Sequence, residues 1–171
     1  YRGRLVLKER AIIMAGRVII LMGSKSDLDH VDKIISELQT WQVPYEQRIA
    51  SAHKSVRHLL ALLDQYNAAE EPLVFIAVAG RSNALAGMLD ANTAFPVITC
   101  PPTSTAFAGA DIYSSLRMPG GVAPMVILEP ANAALAAAKI LALTDPALRE
   151  RIITYQREMT DSIVAADASL G

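Results

Sequence analysis

Apolar and polar positions along this chain follow two periods, that of a buried strand and that of an amphipathic helix. Val18-Ile19-Ile20-Leu21-Met22 is an unbroken apolar run, and Leu73-Val74-Phe75-Ile76-Ala77-Val78-Ala79 is a longer one. Runs of this kind suit strands covered on both faces, as in a parallel sheet. Between them, Leu28, Val31, Ile34, Ile35, Leu38 and Trp41 recur at helical spacing, as do Val56, Leu59, Leu60, Leu62, Leu63 and Tyr66. Val43 to Ile49 alternates and predicts a second strand, with Pro44 near its start. Pro96 to Cys100 predicts a fourth strand, stopped by Pro101-Pro102, and Met125 to Leu128 a fifth. Ala84, Leu85, Met88 and Leu89 predict a short helix capped by Ser82 or Asn83, Asp111 to Met118 a further helical stretch, and Ala131 to Leu143 a buried helix. Asp145-Pro146 opens a last helix, whose stripe of Leu148, Ile152, Tyr155, Met159 and Ile163 is expected to pack on a neighbouring subunit.

Five strands alternating with helices imply βαβ units, a parallel sheet and right-handed crossovers. Ligands of such sheets bind beyond the carboxyl ends of the strands. Three polar loops are expected along that edge: Gly23-Ser24-Lys25-Ser26-Asp27, Ser51-Ala52-His53-Lys54 and Gly80-Arg81-Ser82-Asn83. By itself the first loop reads equally as a phosphate site at a helix N-terminus or as an ordinary βα turn. Asp27 suits the N-cap of the following helix, and a carboxylate also suits a ribose diol.

Composition narrows the function. A chain of 171 residues, 52% hydrophobic, can bury one sizeable core, and one domain is expected over residues 14–171. Residues 1–13, upstream of Met14, read as an N-terminal extension or a cloning remnant. A formal net charge of -1 with no run of like charges argues against a nucleic-acid surface or a polybasic membrane patch. The Ala131 to Leu143 segment falls short of the ~20 residues of a bilayer span. A single cysteine excludes an internal disulfide framework and suits a reducing cytoplasm. Cys100 reads as a packed thiol, His30 and His58 fall on polar helix faces, and no metal-binding spacing is visible.

Four motifs in order are highly specific: Met22-Gly23-Ser24-Lys25-Ser26-Asp27, Ser51-Ala52-His53-Lys54, Ala79-Gly80-Arg81-Ser82-Asn83 and Ser114-Ser115-Leu116-Arg117-Met118-Pro119-Gly120-Gly121. With Asn132-Ala133-Ala134, they give residues 17–143 a resemblance to the PurE family of purine biosynthesis. The resemblance implies a flavodoxin-like three-layer α/β fold and a homo-oligomer, an octamer or a tetramer. The first class of that family moves a carboxylate from N5 to C4 of an aminoimidazole ribonucleotide, and usually shows Ser-Ala-His-Arg and an Ala-Gly-Gly-Ala-Ala-His-Leu type loop. Lys54 and the Arg81-Ser82-Asn83 loop instead resemble the second class, which carboxylates 5-aminoimidazole ribonucleotide with CO2. This chain is similar to its stand-alone form.

The aminoimidazole ring is electron-rich, so C4 can attack CO2 with no cofactor or metal. The remaining task is removal of the C4 proton, and His53 is the expected carrier, with Lys54 beside it. The resemblance further implies that Ser24, Ser26 and Ser51 hold the phosphate with the amides of the Gly23 and Gly80 loops, and that Asp27 takes the ribose hydroxyls. Lys54 and Arg81 are expected to stabilise phosphate or the nascent carboxylate. Ser82 and Asn83 would shape the CO2 pocket, and Met118 and Gly120 would approach the ligand or turn the chain. The alternatives are the N5-carboxy mutase, a carboxylase of another heteroaromatic ring, and a non-catalytic nucleotide-binding module.

Overall fold

The structure is a computed structural model and describes residues 15–170, so the reading of residues 1–13 as an extension, with Met14 and Gly171, lies outside the described residues. Strands β1 (Arg17–Met22), β2 (Tyr45–Ile49), β3 (Leu73–Val78), β4 (Val97–Thr99) and β5 (Met125–Val126) form one sheet in the order β2-β1-β3-β4-β5, every pair parallel. Val18 lies opposite Tyr45 on one side and Val74 on the other, and Ile76 lies opposite Ile98. All six residues of β3 are buried, which is the physical content of its uninterrupted apolar run.

Helices cover both faces. Val18, Ile20, Met22, Val74, Ile76 and Val78 point into a core closed by α1 (Leu28–Thr40), α5 (Pro130–Leu141) and the start of α6 (Pro146–Ala168). Ile19, Leu21, Phe75 and Ala77 point the other way, against α2 (Val56–Asn67) and α3 (Ala84–Asp90). Period-two alternation in the strands thus feeds two separate cores, and the result is the expected flavodoxin-like three-layer α/β fold with an added C-terminal helix. Ala133, Ala134, Ala137 and Ala138 are fully buried on α5, so small side chains let this helix lie close against its neighbours.

Three elements differ from expectation. β5 is two residues long and ends at Val126, although Ile127 N–H still donates to Thr99 O at 3.0 Å. The stretch expected to be helical over 111–118 is split between a 3-10 segment, Ala106–Ile112, and α4 (Tyr113–Leu116). Phe107 and Ala108 there have φ near +51° and +52° and Gly109 +80°, which interrupts any longer helix. α6 does open as predicted, with Pro146 in its first turn and Asp145 Oδ1 accepting from Leu148 N–H at 3.0 Å. Its stripe, however, is divided. Leu148 and Ile152 are buried in this chain's own core, Arg151 Nε donates to Trp41 O at 3.2 Å, and the Tyr155 ring meets Trp41 edge-on with centroids 5.0 Å apart. Tyr155 keeps an exposed edge beside Trp41, and Met159 and Ile163 of that stripe are left exposed beyond it, with Val164 beside them. Among the described residues no helix is long and apolar enough to cross a membrane.

Candidate active site

The strand order reverses between β1 and β3, because the chain leaves β1 for β2 on one side and returns to β3 on the other. The loops leaving these strands diverge at that point and open a crevice, the ordinary ligand position of such sheets. The loop after β1 begins at Gly23, whose N–H donates to Val78 O at 2.9 Å and holds the loop against the end of β3. Ser24 then caps a one-turn 3-10 helix, Lys25–Asp27, that runs into α1. Ser26 N–H donates to Ser24 Oγ at 3.3 Å, while the Asp27 carboxylate accepts from Ser24 N–H at 3.1 Å, a reciprocal capping box. Asp27 does stand at the N-cap of α1, but its side chain caps no amide of that helix, contrary to expectation. Both contacts from Ser24 fall on Asp27 Oδ2, so neither of them occupies Oδ1.

The loop after β2 is tied by Ser51 and Ser55. Ser51 N–H donates to Ser55 Oγ at 2.8 Å, and Ser51 Oγ accepts from His53 N–H at 3.3 Å and Lys54 N–H at 3.2 Å. These bonds fix the backbone beneath His53 and leave its side chain exposed. In both of them Ser51 Oγ is an acceptor, so its O–H can donate to an anion. After β3, Arg81 takes φ +59°, uncommon for a residue other than glycine. Asn83, not Ser82, caps α3, through Ala86 N–H to Asn83 Oδ1 at 3.3 Å.

These loops enclose one cavity of about 810 Å³. Gly23, Ser24, Ser26, Asp27, Ser51, His53, Lys54, Gly80, Arg81 and Ser82 all line it. A fourth wall, Pro102, Thr103, Ser104 and Thr105, was not anticipated as part of the site. Its signal was available: it follows β4, and so lies on the same edge of the sheet. The structure does not bring Asn83, Met118 or Gly120 into this cavity. Asn83 is 2% exposed, and its Nδ2 donates to Thr99 Oγ1 at 2.6 Å and Ser115 Oγ at 2.9 Å. Met118 packs on the core beside α3, and a methyl placed on Gly87 would lie 3.3 Å from its sulfur. Gly120 has open space around it, and Gly121, at φ +86°, supplies the left-handed residue of the turn.

One pair escaped the sequence altogether. His30 is half-buried, not solvated, and its Nε2 lies 3.4 Å from Cys100 Sγ. Burial lowers the His30 pKa from its usual value and raises that of Cys100 to about 12, so Cys100 stays a thiol.

An open parallel sheet with a polar cavity of nucleotide size at its strand-order reversal defines a flavodoxin-like small-molecule-binding protein. Residues 17–162 match the family model described as AIR carboxylase. The chain belongs to the AIR carboxylase family. It is 48% identical over 153 residues to a phosphoribosylaminoimidazole carboxylase of Treponema denticola, covering 90% of this chain and 96% of that one. A second phosphoribosylaminoimidazole carboxylase, of Archaeoglobus fulgidus, is 51% identical over 154 residues, covering 90% and 84%. The crystal structure of Treponema denticola PurE superimposes with a TM-score of 0.88 at 47% identity, covering 91% of this chain and 99% of that one.

Proposed function

We propose that this enzyme carboxylates 5-aminoimidazole ribonucleotide at C4 with CO2, giving 4-carboxy-5-aminoimidazole ribonucleotide, and that His53 carries the C4 proton. The observation that supports this best is the convergence of the His53 loop with the Gly23–Asp27 and Gly80–Ser82 loops on one cavity large enough for a ribonucleotide. In this reading the phosphate lies against Ser24, Ser26 and Ser51, where hydroxyls and the amides of a helix start favour an anion. The ribose diol is taken by Asp27 Oδ1, and the ring then faces His53. C4 donates its electron pair to CO2 and forms the new C–C bond, and C4 carries hydrogen and carboxylate together for a moment. His53 accepts that proton, and the C–H electron pair restores the aromatic ring. Arg81, with a planar fork of donors, stabilises the nascent carboxylate, and Lys54 supplies a second positive charge. CO2 offers little to grip, so holding the two reactants together does much of the work.

The class is tested by incubating the enzyme with 5-aminoimidazole ribonucleotide and bicarbonate, with and without carbonic anhydrase, and offering the N5-carboxylated substrate under CO2 depletion. Product that requires dissolved CO2 supports the carboxylase. Efficient use of the N5-carboxylated substrate would make the enzyme a mutase. The ribose role is tested separately. Asp27→Ala is expected to weaken ribonucleotide binding by about 10-fold to 100-fold, the usual cost of losing hydrogen bonds to a charged group. Calorimetry giving an unchanged Kd would refute it.

The assembly is proposed to be a homo-oligomer, an octamer or a tetramer, joined in part through the outer half of α6. Met159, Ile163 and Val164 stay exposed there after Leu148 and Ile152 have been used. Ending the chain after Arg157 removes these residues and leaves the buried turns intact. Light scattering is expected to show a smaller particle, and an unchanged number of subunits would reject this interface.

A further inference from the structure

We infer that Asp111 is a positioning residue for the reaction, clamping the loop after β3 so that Arg81 is presented to the cavity. The inference rests on the role given to Arg81 above. Arg81 holds φ +59°, a conformation that costs an ordinary side chain free energy and persists only where its surroundings over-determine it. Here the restraint comes from about thirty positions downstream. Arg81 N–H donates to Asp111 Oδ2 at 3.2 Å, and the single Ser114 hydroxyl proton is shared between Asp111 O at 2.7 Å and Arg81 O at 3.0 Å. The same Ser114 Oγ accepts from Asn83 N–H at 3.0 Å, so one hydroxyl bridges the two ends of the turn. Asn83 is anchored in turn by Thr99 and Ser115.

Asp111 therefore acts on Arg81 from outside the large cavity. It lines a smaller adjoining cavity of about 230 Å³, which shares the Gly80-Arg81 wall, and is absent from the wall of the large one. Its carboxylate bonds the backbone of Arg81, and among the described residues no ion pair engages the Arg81 guanidinium, so the side chain remains available to a ligand. An acceptor on Arg81 N–H favours the left-handed turn over extended backbone, in which the side chain would leave on a different heading.

The test is a double-mutant cycle of Arg81→Ala and Asp111→Ala, with Asp111→Asn as the conservative variant. Asp111→Ala is expected to lower kcat/KM by about 10-fold to 100-fold, the loss falling in the same parameter, kcat or KM, as in Arg81→Ala. The double variant should be no slower than Arg81→Ala alone, and Asp111→Asn, which keeps an acceptor oxygen, should recover most of the rate. Additive losses, or a loss that Asp111→Asn does not recover, would overturn the clamp and leave the role of Arg81 standing. A fully active Arg81→Ala would overturn both that role and the clamp. If Asp111→Ala fails to fold, Ser114→Ala enters the same cycle with the same criteria.

Discussion

Replacing His53 with asparagine is expected to lower kcat by about 100-fold to 10,000-fold, the range typical of a lost general acid–base group. Asparagine keeps a polar side chain of moderate size but cannot exchange a proton near neutral pH. The backbone of the loop should not notice the change, because His53 enters it through its N–H, which donates to Ser51 Oγ. The imidazole is exposed and makes no hydrogen bond among the described residues, so Tm should stay within about 2 °C, as for most surface substitutions. Calorimetric Kd for the ribonucleotide should likewise stay close to that of the parent. Turnover near normal would remove His53 as the proton carrier, whereas parallel loss of binding and turnover would make it a substrate contact.

The second large effect concerns stability. Phe75 sits fully buried at the centre of β3, opposite Ile19 of β1 and Val97 of β4. Its ring meets Tyr66 edge-on at 5.8 Å and Phe95 at 6.4 Å, so three aromatic rings lock α2 to the sheet. Phe75→Ala removes the middle ring and leaves a cavity that neither strand nor helix can close without breaking ladder bonds. A cost of about 3–5 kcal/mol follows from comparable core truncations. For a chain of this length that is a fall in Tm of roughly 6–20 °C. A shift of only a degree or two would show that the second core repacks more freely than its ring geometry implies.

What could be read in the sequence was what periodicity controls. β1 and β3 are legible because both faces are buried, and α1 and α2 because each presents one continuous stripe. That the three polar loops share one edge follows from the parallel strand order alone. Side-chain partners were not legible. Nothing in the local pattern shows that Asp27 turns back to Ser24 N–H, since the intervening 3-10 turn moves the cap by three residues. Asn83 looks like a loop residue, yet Thr99 and Ser115 bury it, and the latter lies 32 positions away. His30 and Cys100 meet across 70 positions. The stripe of α6 is continuous in sequence, but the globule is only wide enough to cover its first two turns, and periodicity carries no information on where a surface ends.

The setting of Cys100 has a practical consequence. It is the chain's only cysteine, it has no exposed surface, and its thiol is held to about pKa 12. Thiol reagents act on the accessible thiolate, which this site withholds on both counts. The folded enzyme is therefore a silent background for labelling, and a cysteine introduced on a site loop would carry a fluorophore or spin label alone. The same silence ends on denaturation, so the rate at which Cys100 becomes alkylated is a clock for opening of the α1 and α5 layer from the sheet.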